Sequence, residues 1–142
     1  MQHIPYRRKV FFYETDQMGV VHHSNYIKWF EEARTDFMDQ LGFGYDKVTE
    51  SGIDIALLSV SCDFRSSVRF GESVNISMSF SELTPARMSI SYEIYDAESD
   101  TLRTTGRTDH FFFDRVRKRP VSLSKHSPEL YGLFCRNYEN GQ

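Results

Sequence analysis

The segment YETDQMGVVHHSNYIKWFEEARTDFMDQLG, Tyr13 to Gly42, decides how this chain folds. From Ser24 onward its apolar residues recur at helical spacing: Tyr26, Phe30, Ala33, Phe37 and Leu41 fall on one line, flanked by Ile27, Trp29 and Met38. Ser24 or Asn25 supplies an N-cap side chain, and Gly42 is the residue able to turn left-handed at the far end. At roughly 1.5 Å per residue the helix is about 28 Å long. Its apolar arc covers about half the circumference, so the spacing predicts a central helix with a sheet curled around it.

The remaining sequence reads as that sheet. RKVFFYE, residues 8–14, is a short first strand rich in β-formers. SVSCDF sets Val60, Cys62 and Phe64 against Ser59, Ser61 and Asp63, and SVNISMSFS alternates Val74, Ile76, Met78 and Phe80 with polar residues. RMSISYEIYD repeats the pattern through Met88, Ile90, Tyr92 and Ile94. TLRTTGRTDHFFFD is a longer strand with Gly106 as a possible bulge. The breaks FGES, LTPA and AESDT suit antiparallel connections, and SPELYGLF is a brief helix with Pro128 in its first turn. The expectation is an α+β chain, one domain over residues 1–142, with about five antiparallel strands around one long helix.

Composition narrows the function. A formal charge of -3 gives no general attraction for nucleic acid or an anionic membrane. No run approaches a membrane span, and MQHIPYRRKVFFYE lacks the apolar core of a signal peptide, so the reading is soluble and cytoplasmic. Cys62 and Cys135 form no C-x-x-C pair, which argues for reduced structural thiols rather than a disulfide framework or zinc site.

Ahead of the helix, Asp16 is followed by Gln17, Met18, Gly19, Val20, Val21, His22 and His23. The first N–H groups of a helix have no intrahelical partner and carry partial positive charge, so they can polarise a carbonyl. A carboxylate on the other side of that carbonyl can attack it or deprotonate a water that does. Acyl transfer fits these parts. The plain alternative is that Asp16 caps a turn, Gly19 bends it and the histidines lie on the surface. A metal site is disfavoured because adjacent histidines point apart and no H-x-x-x-H spacing is present.

The pattern Tyr13, Asp16, Gly19, Val20, Val21, His23, Tyr26 resembles the motif of the 4-hydroxybenzoyl-CoA thioesterase branch of the hotdog-fold acyl-CoA thioesterases, including its Tol-Pal-associated members. FEEART, VRFGESVNI and KRPVSL extend the likeness over Tyr6 to Leu123. His22, where many members carry an aromatic residue, and Ser66-Ser67, where a proline is common, depart from it. The resemblance implies a hotdog fold and hydrolysis of an acyl or aroyl CoA thioester. It makes Asp16 the nucleophile or general base and the His23 N–H the carbonyl donor, with Gly19, Val20, Val21 and Tyr26 around the substrate. It implies no cofactor, CoA being part of the substrate, and a homodimer or homotetramer with sites between subunits. A non-catalytic acyl-CoA-binding module and a hotdog hydratase or dehydratase are the alternatives, the latter lacking its G-H-F-P-x-x-P pattern.

Two smaller features complete the reading. Arg34 lies within the apolar arc and needs a partner, for which Glu31 is in helical reach. The basic run Arg117, Lys118, Arg119 would ordinarily face water, but for a CoA thioester it offers contacts to phosphate, as do Arg65 and Arg87.

Overall fold

The computed structural model describes residues 4–140; Met1–His3, the first residues of the leader-free reading, lie outside them. Five strands, β1 (Tyr6–Lys9), β2 (Ile53–Phe64), β3 (Ser73–Leu83), β4 (Arg87–Asp96) and β5 (Leu102–Asp114), form one antiparallel sheet in the order β1-β3-β4-β5-β2. A two-residue strand, β6 (Arg119–Pro120), pairs with the end of β5. The helices are α1 (Ser24–Gln40), α2 (Tyr45–Ser51), α3 (Leu123–His126) and α4 (Pro128–Asn140). This is the α+β hotdog arrangement, with α1 as the wrapped helix.

The period-2 strands bury the faces expected of them. Val74, Ile76, Met78 and Phe80 of β3 and Met88, Ile90, Tyr92 and Ile94 of β4 are buried, as are Tyr26, Trp29, Phe30, Ala33 and Phe37 of α1. Ile27, on the flank of the arc, is exposed. Gly106 is not at a bulge: it pairs in register with Cys62 on one side and Tyr92 on the other. The sheet's irregularities lie instead at Leu57/Ser59, Phe80/Glu82 and Ile94/Tyr95. Gly106 is small because α1 comes close there. The Phe30 ring stacks on Tyr92 at 4.3 Å, and a Cβ on Gly106 would fall inside that ring's envelope and 3.1 Å from the Ser61 carbonyl oxygen.

Other boundaries differ from the sequence reading. The first strand ends at Lys9, and Phe12–Glu14 make one 3-10 turn instead. Helix α1 stops at Gln40, with Gly42 at φ +75° as the left-handed residue. Helix α2 was not expected, its short run YDKVTES having no buried face to produce a period. The closing helix α4 runs 13 residues, longer than the brief one foreseen. Arg34 does not pair with Glu31. Its Nη1 donates to the Tyr92 hydroxyl at 2.8 Å, and that hydroxyl meets Thr108 Oγ1, which meets His110 Nε2, each at 2.8 Å. The sheet-facing side of α1 hands Arg34 to a buried phenol, while Glu31 stays on the exposed side.

The 3-10 turn exists because of Glu14, which is 2% exposed. Its carboxylate accepts from Arg8 Nη1 (2.5 Å), the Phe11 N–H (2.9 Å) and the Trp29 indole N–H (2.9 Å). Arg8 also donates to Glu32 on α1. The Glu14 carbonyl accepts from the His22 N–H at 2.8 Å and from Asn25 Nδ2 at 2.9 Å. Burial pushes the Glu14 carboxyl up, but Arg8, Phe11 and Trp29 together outweigh it and hold it below the usual carboxylate range.

Gly106→Ala overpacks Phe30 and should lower unfolding free energy by about 1–3 kcal/mol in urea titration; an unchanged midpoint would refute the close approach. Glu14→Gln leaves Arg8 without its buried partner and should cost about 3 kcal/mol near neutral pH. Because the folded carboxyl is depressed, that contribution is present above the usual glutamate value and is lost as pH falls through the lower folded one. The gap in Tm between wild type and variant should therefore shrink in acid, and a gap constant from neutral to strongly acid pH would rule the mechanism out.

Candidate active site

Between the Glu14 anchor and α1 the chain makes a tight loop closed at both ends. Asp16 N–H donates to the Val20 carbonyl at 2.9 Å, and the Gly19 N–H returns to the Asp16 carbonyl at 3.0 Å. Gly19 has φ +76°, a conformation that a side chain would strain. Single bridges join Thr15 to Val21 and Val20 to Arg69, and the Val21 N–H donates to Val68 at 2.8 Å. The loop is thus stitched to the segment after β2.

Asp16 is half-buried. Its Oδ1 accepts the Met18 N–H at 2.8 Å, and its Oδ2 has no hydrogen-bond partner among the described residues. At the other side of the loop, the His22 N–H is taken by Glu14 and the Ser24 N–H by His22 Nδ1 at 3.2 Å. The His23 N–H between them meets no acceptor among the described residues. His23, not Ser24 or Asn25, is the cap position, and its own side chain makes no cap hydrogen bond. The positive end of α1 is left open at His23.

Asp16, Val21, His23 and Tyr26 line one hollow of about 280 Å³ together with Phe64, Arg65, Ser66 and Ser67. Tyr26 is buried at the base, edge-on to Phe64 at 5.0 Å, and burial raises its phenol above the ordinary value. Gly19 and Val20 are not on this wall; they shape the loop that carries Asp16. The rings of His22 and His23 lie 4.1 Å apart rather than pointing away from each other, with His22 Nδ1 on Ser24 Oγ at 2.8 Å. Among the described residues no group of three or more His, Cys, Asp or Glu side chains is arranged to hold a metal.

Sequence reasoning missed Phe64 and the role of Arg103. Arg103 donates to the Ser67 carbonyl at 3.0 Å and pairs with Asp96 and Glu72, fixing the wall opposite Asp16. Nothing local in the sequence marks it, because its partners come from three different segments. Arg65 stands on the hollow with no ion-pair partner among the described residues. Arg117, Lys118 and Arg119 are elsewhere. They sit on the turn closed by Asp114, whose carboxylate accepts the Val116 and Arg117 N–H groups. Phe64 lies opposite Thr104, at the other end of β5 from Asp114. Ten residues of strand at about 3.3 Å each put this turn some 30 Å from Asp16 of the same chain. Arg87 starts β4 opposite Phe111, also toward the distant end.

Among the described residues no helix is long and apolar enough to cross a membrane. Comparison with known proteins agrees with the fold. An Aquifex aeolicus protein is 38% identical over 90 residues, 63% of this chain and 70% of its own length. The Helicobacter pylori acyl-CoA thioesterase YbgC is 27% identical over 132 residues, covering 87% of this chain and 96% of that protein. The crystal structure of the Staphylococcus aureus DHNA-CoA thioesterase superposes with a TM-score of 0.88 at 27% identity, over 96% of this chain and 93% of that one. The sequence profile of the thioesterase-like superfamily matches residues 10–130, taking in the Asp16 loop, α1 and every strand from β2 to β6. By that match, this protein belongs to the thioesterase-like superfamily.

Proposed function

We propose that this protein is an acyl-CoA thioesterase of the 4-hydroxybenzoyl-CoA thioesterase branch, cleaving an acyl or aroyl thioester to free acid and CoA in the cytoplasm. The observation that carries this is that Asp16 and His23 line one hollow, where an Asp16 carboxylate oxygen and the His23 backbone N–H have no hydrogen-bond partner among the described residues. The thioester carbonyl oxygen accepts from that N–H, and the helix end stabilises the charge it gains. Asp16 takes a proton from water as the water oxygen bonds to the carbonyl carbon. The C–S bond then breaks and the proton passes to the departing thiolate. If Asp16 attacks directly, an anhydride forms and water opens it, with the same products. Hydrolysis changes no oxidation state, so it calls for no redox cofactor, and CoA arrives with the substrate.

A dimer completes this reading. Strand β2 is 12 residues long and lies last in the sheet, with Leu57 and Leu58 each 48% exposed. An apolar edge of that length is a template for another strand. Pairing two β2 edges antiparallel about Leu58 sets the Asp114 end of one chain against the Asp16 end of the other. The basic turn at Arg117, Lys118 and Arg119 would then face the second copy's hollow, beside that copy's Arg65, where CoA phosphates need contacts. The assembly is a homodimer, or a homotetramer built from it.

Asp16→Asn should cut turnover by a factor of about 10² or more while CoA-ester binding persists. Thiol release at the wild-type rate by the folded variant would remove Asp16 from the chemistry. Leu58→Lys on the β2 edge should yield monomers in sedimentation, with KM for CoA thioesters raised in step. A variant that stays dimeric, or a fully active monomer, would overturn the shared site.

A further inference from the structure

A second cavity, of about 210 Å³, lies beneath the C-terminal half of α1 and shares no lining residue with the Asp16 hollow. Its walls are apolar: Met38 from α1, Met78 and Phe80 from β3, Met88 from β4 and Phe134 from α4. An apolar cavity of about 150 Å³ already holds benzene. Arg34 also lines it, and its guanidinium has no carboxylate partner among the described residues. An arginine facing an apolar space without an acid is an unmatched charge. The chain from Arg34 through Tyr92 and Thr108 to His110 fixes the guanidinium without neutralising it, since each partner is uncharged: burial raises the Tyr92 phenol and pushes the His110 imidazole down to about 4. Glu31 is the acid on the cavity wall, and it is exposed to water.

We propose that this cavity is a second binding site, taking a compact carboxylic acid whose apolar body fills the methionine-lined space and whose carboxylate meets Arg34. The site is defined without the thioesterase reading. What rests on that reading is only the source of the ligand, because thioester hydrolysis releases an acid of this class. The site is tested with the full chain carrying ¹³C-methyl methionine, titrated with benzoate. Met38, Met78 and Met88 report on the cavity and Met18 on the Asp16 loop. Benzoate should move the three cavity methyls to saturation and leave Met18 in place, while the neutral isostere benzamide should bind about tenfold more weakly or worse. Arg34→Gln, which keeps a donor for Tyr92, should lose the preference for benzoate, and Glu31→Gln should tighten it. Equal response to benzoate and benzamide in wild type, unchanged benzoate affinity in Arg34→Gln, or movement of Met18 alone would each overturn the proposal. Benzoate binding that follows Arg34 in a protein that cleaves no thioester would uphold the site and refute only the enzymatic reading.

Discussion

The structure depends on one buried carboxylate. Glu14 gathers a guanidinium, an indole N–H and a backbone N–H on its side chain, and its carbonyl takes a backbone N–H and an amide from the start of α1. Desolvating an anion is costly unless each lone pair finds a donor, and here the donors come from β1, the 3-10 turn and α1. Meeting that requirement fixes three segments against one another. The Asp16 loop is suspended between two of them, so the position of Asp16 relative to His23 is set by a residue whose hydrogen bonds go to Arg8, Phe11, His22, Asn25 and Trp29.

A second constraint acts at the middle of α1. With Gly106 opposite Phe30, the sheet has a dent into which the helix settles, and Tyr92 meets the ring face. Helix and sheet are therefore in register at one point, with a hollow toward each end of α1. The hollow at the N-terminus has backbone donors beside it, whereas the one toward the C-terminal half is flanked by α2 and α4 and lined by Met, Phe and Arg34 side chains.

Much of this was legible in the sequence, and the reasons for the misses are specific. Helix α1 and strands β3 and β4 were readable because each buries one face completely, so burial imprints its period on the residues. Asp16 and His23 were readable as neighbours because only a short loop separates them. Glu14 reads as an ordinary strand residue, since nothing local shows that an acid will be buried among donors from β1 and α1. Helical spacing offers Arg34 only Glu31, a neighbour along the same helix, whereas its partner Tyr92 is 58 residues away. The distance of the basic turn from Asp16 is revealed only by strand order and register.

Burying His110 ties folding to proton activity. In the unfolded chain its imidazole takes a proton near the ordinary histidine value, whereas the folded protein holds it neutral down to about 4. Between those values unfolding takes up a proton, so acid draws the equilibrium toward the open chain, by an amount on the order of 3 kcal/mol once both limits are passed. For a domain of ordinary stability that is a sizeable share of the total. The residue at the end of the hydroxyl chain thus sets an acid boundary for the whole fold.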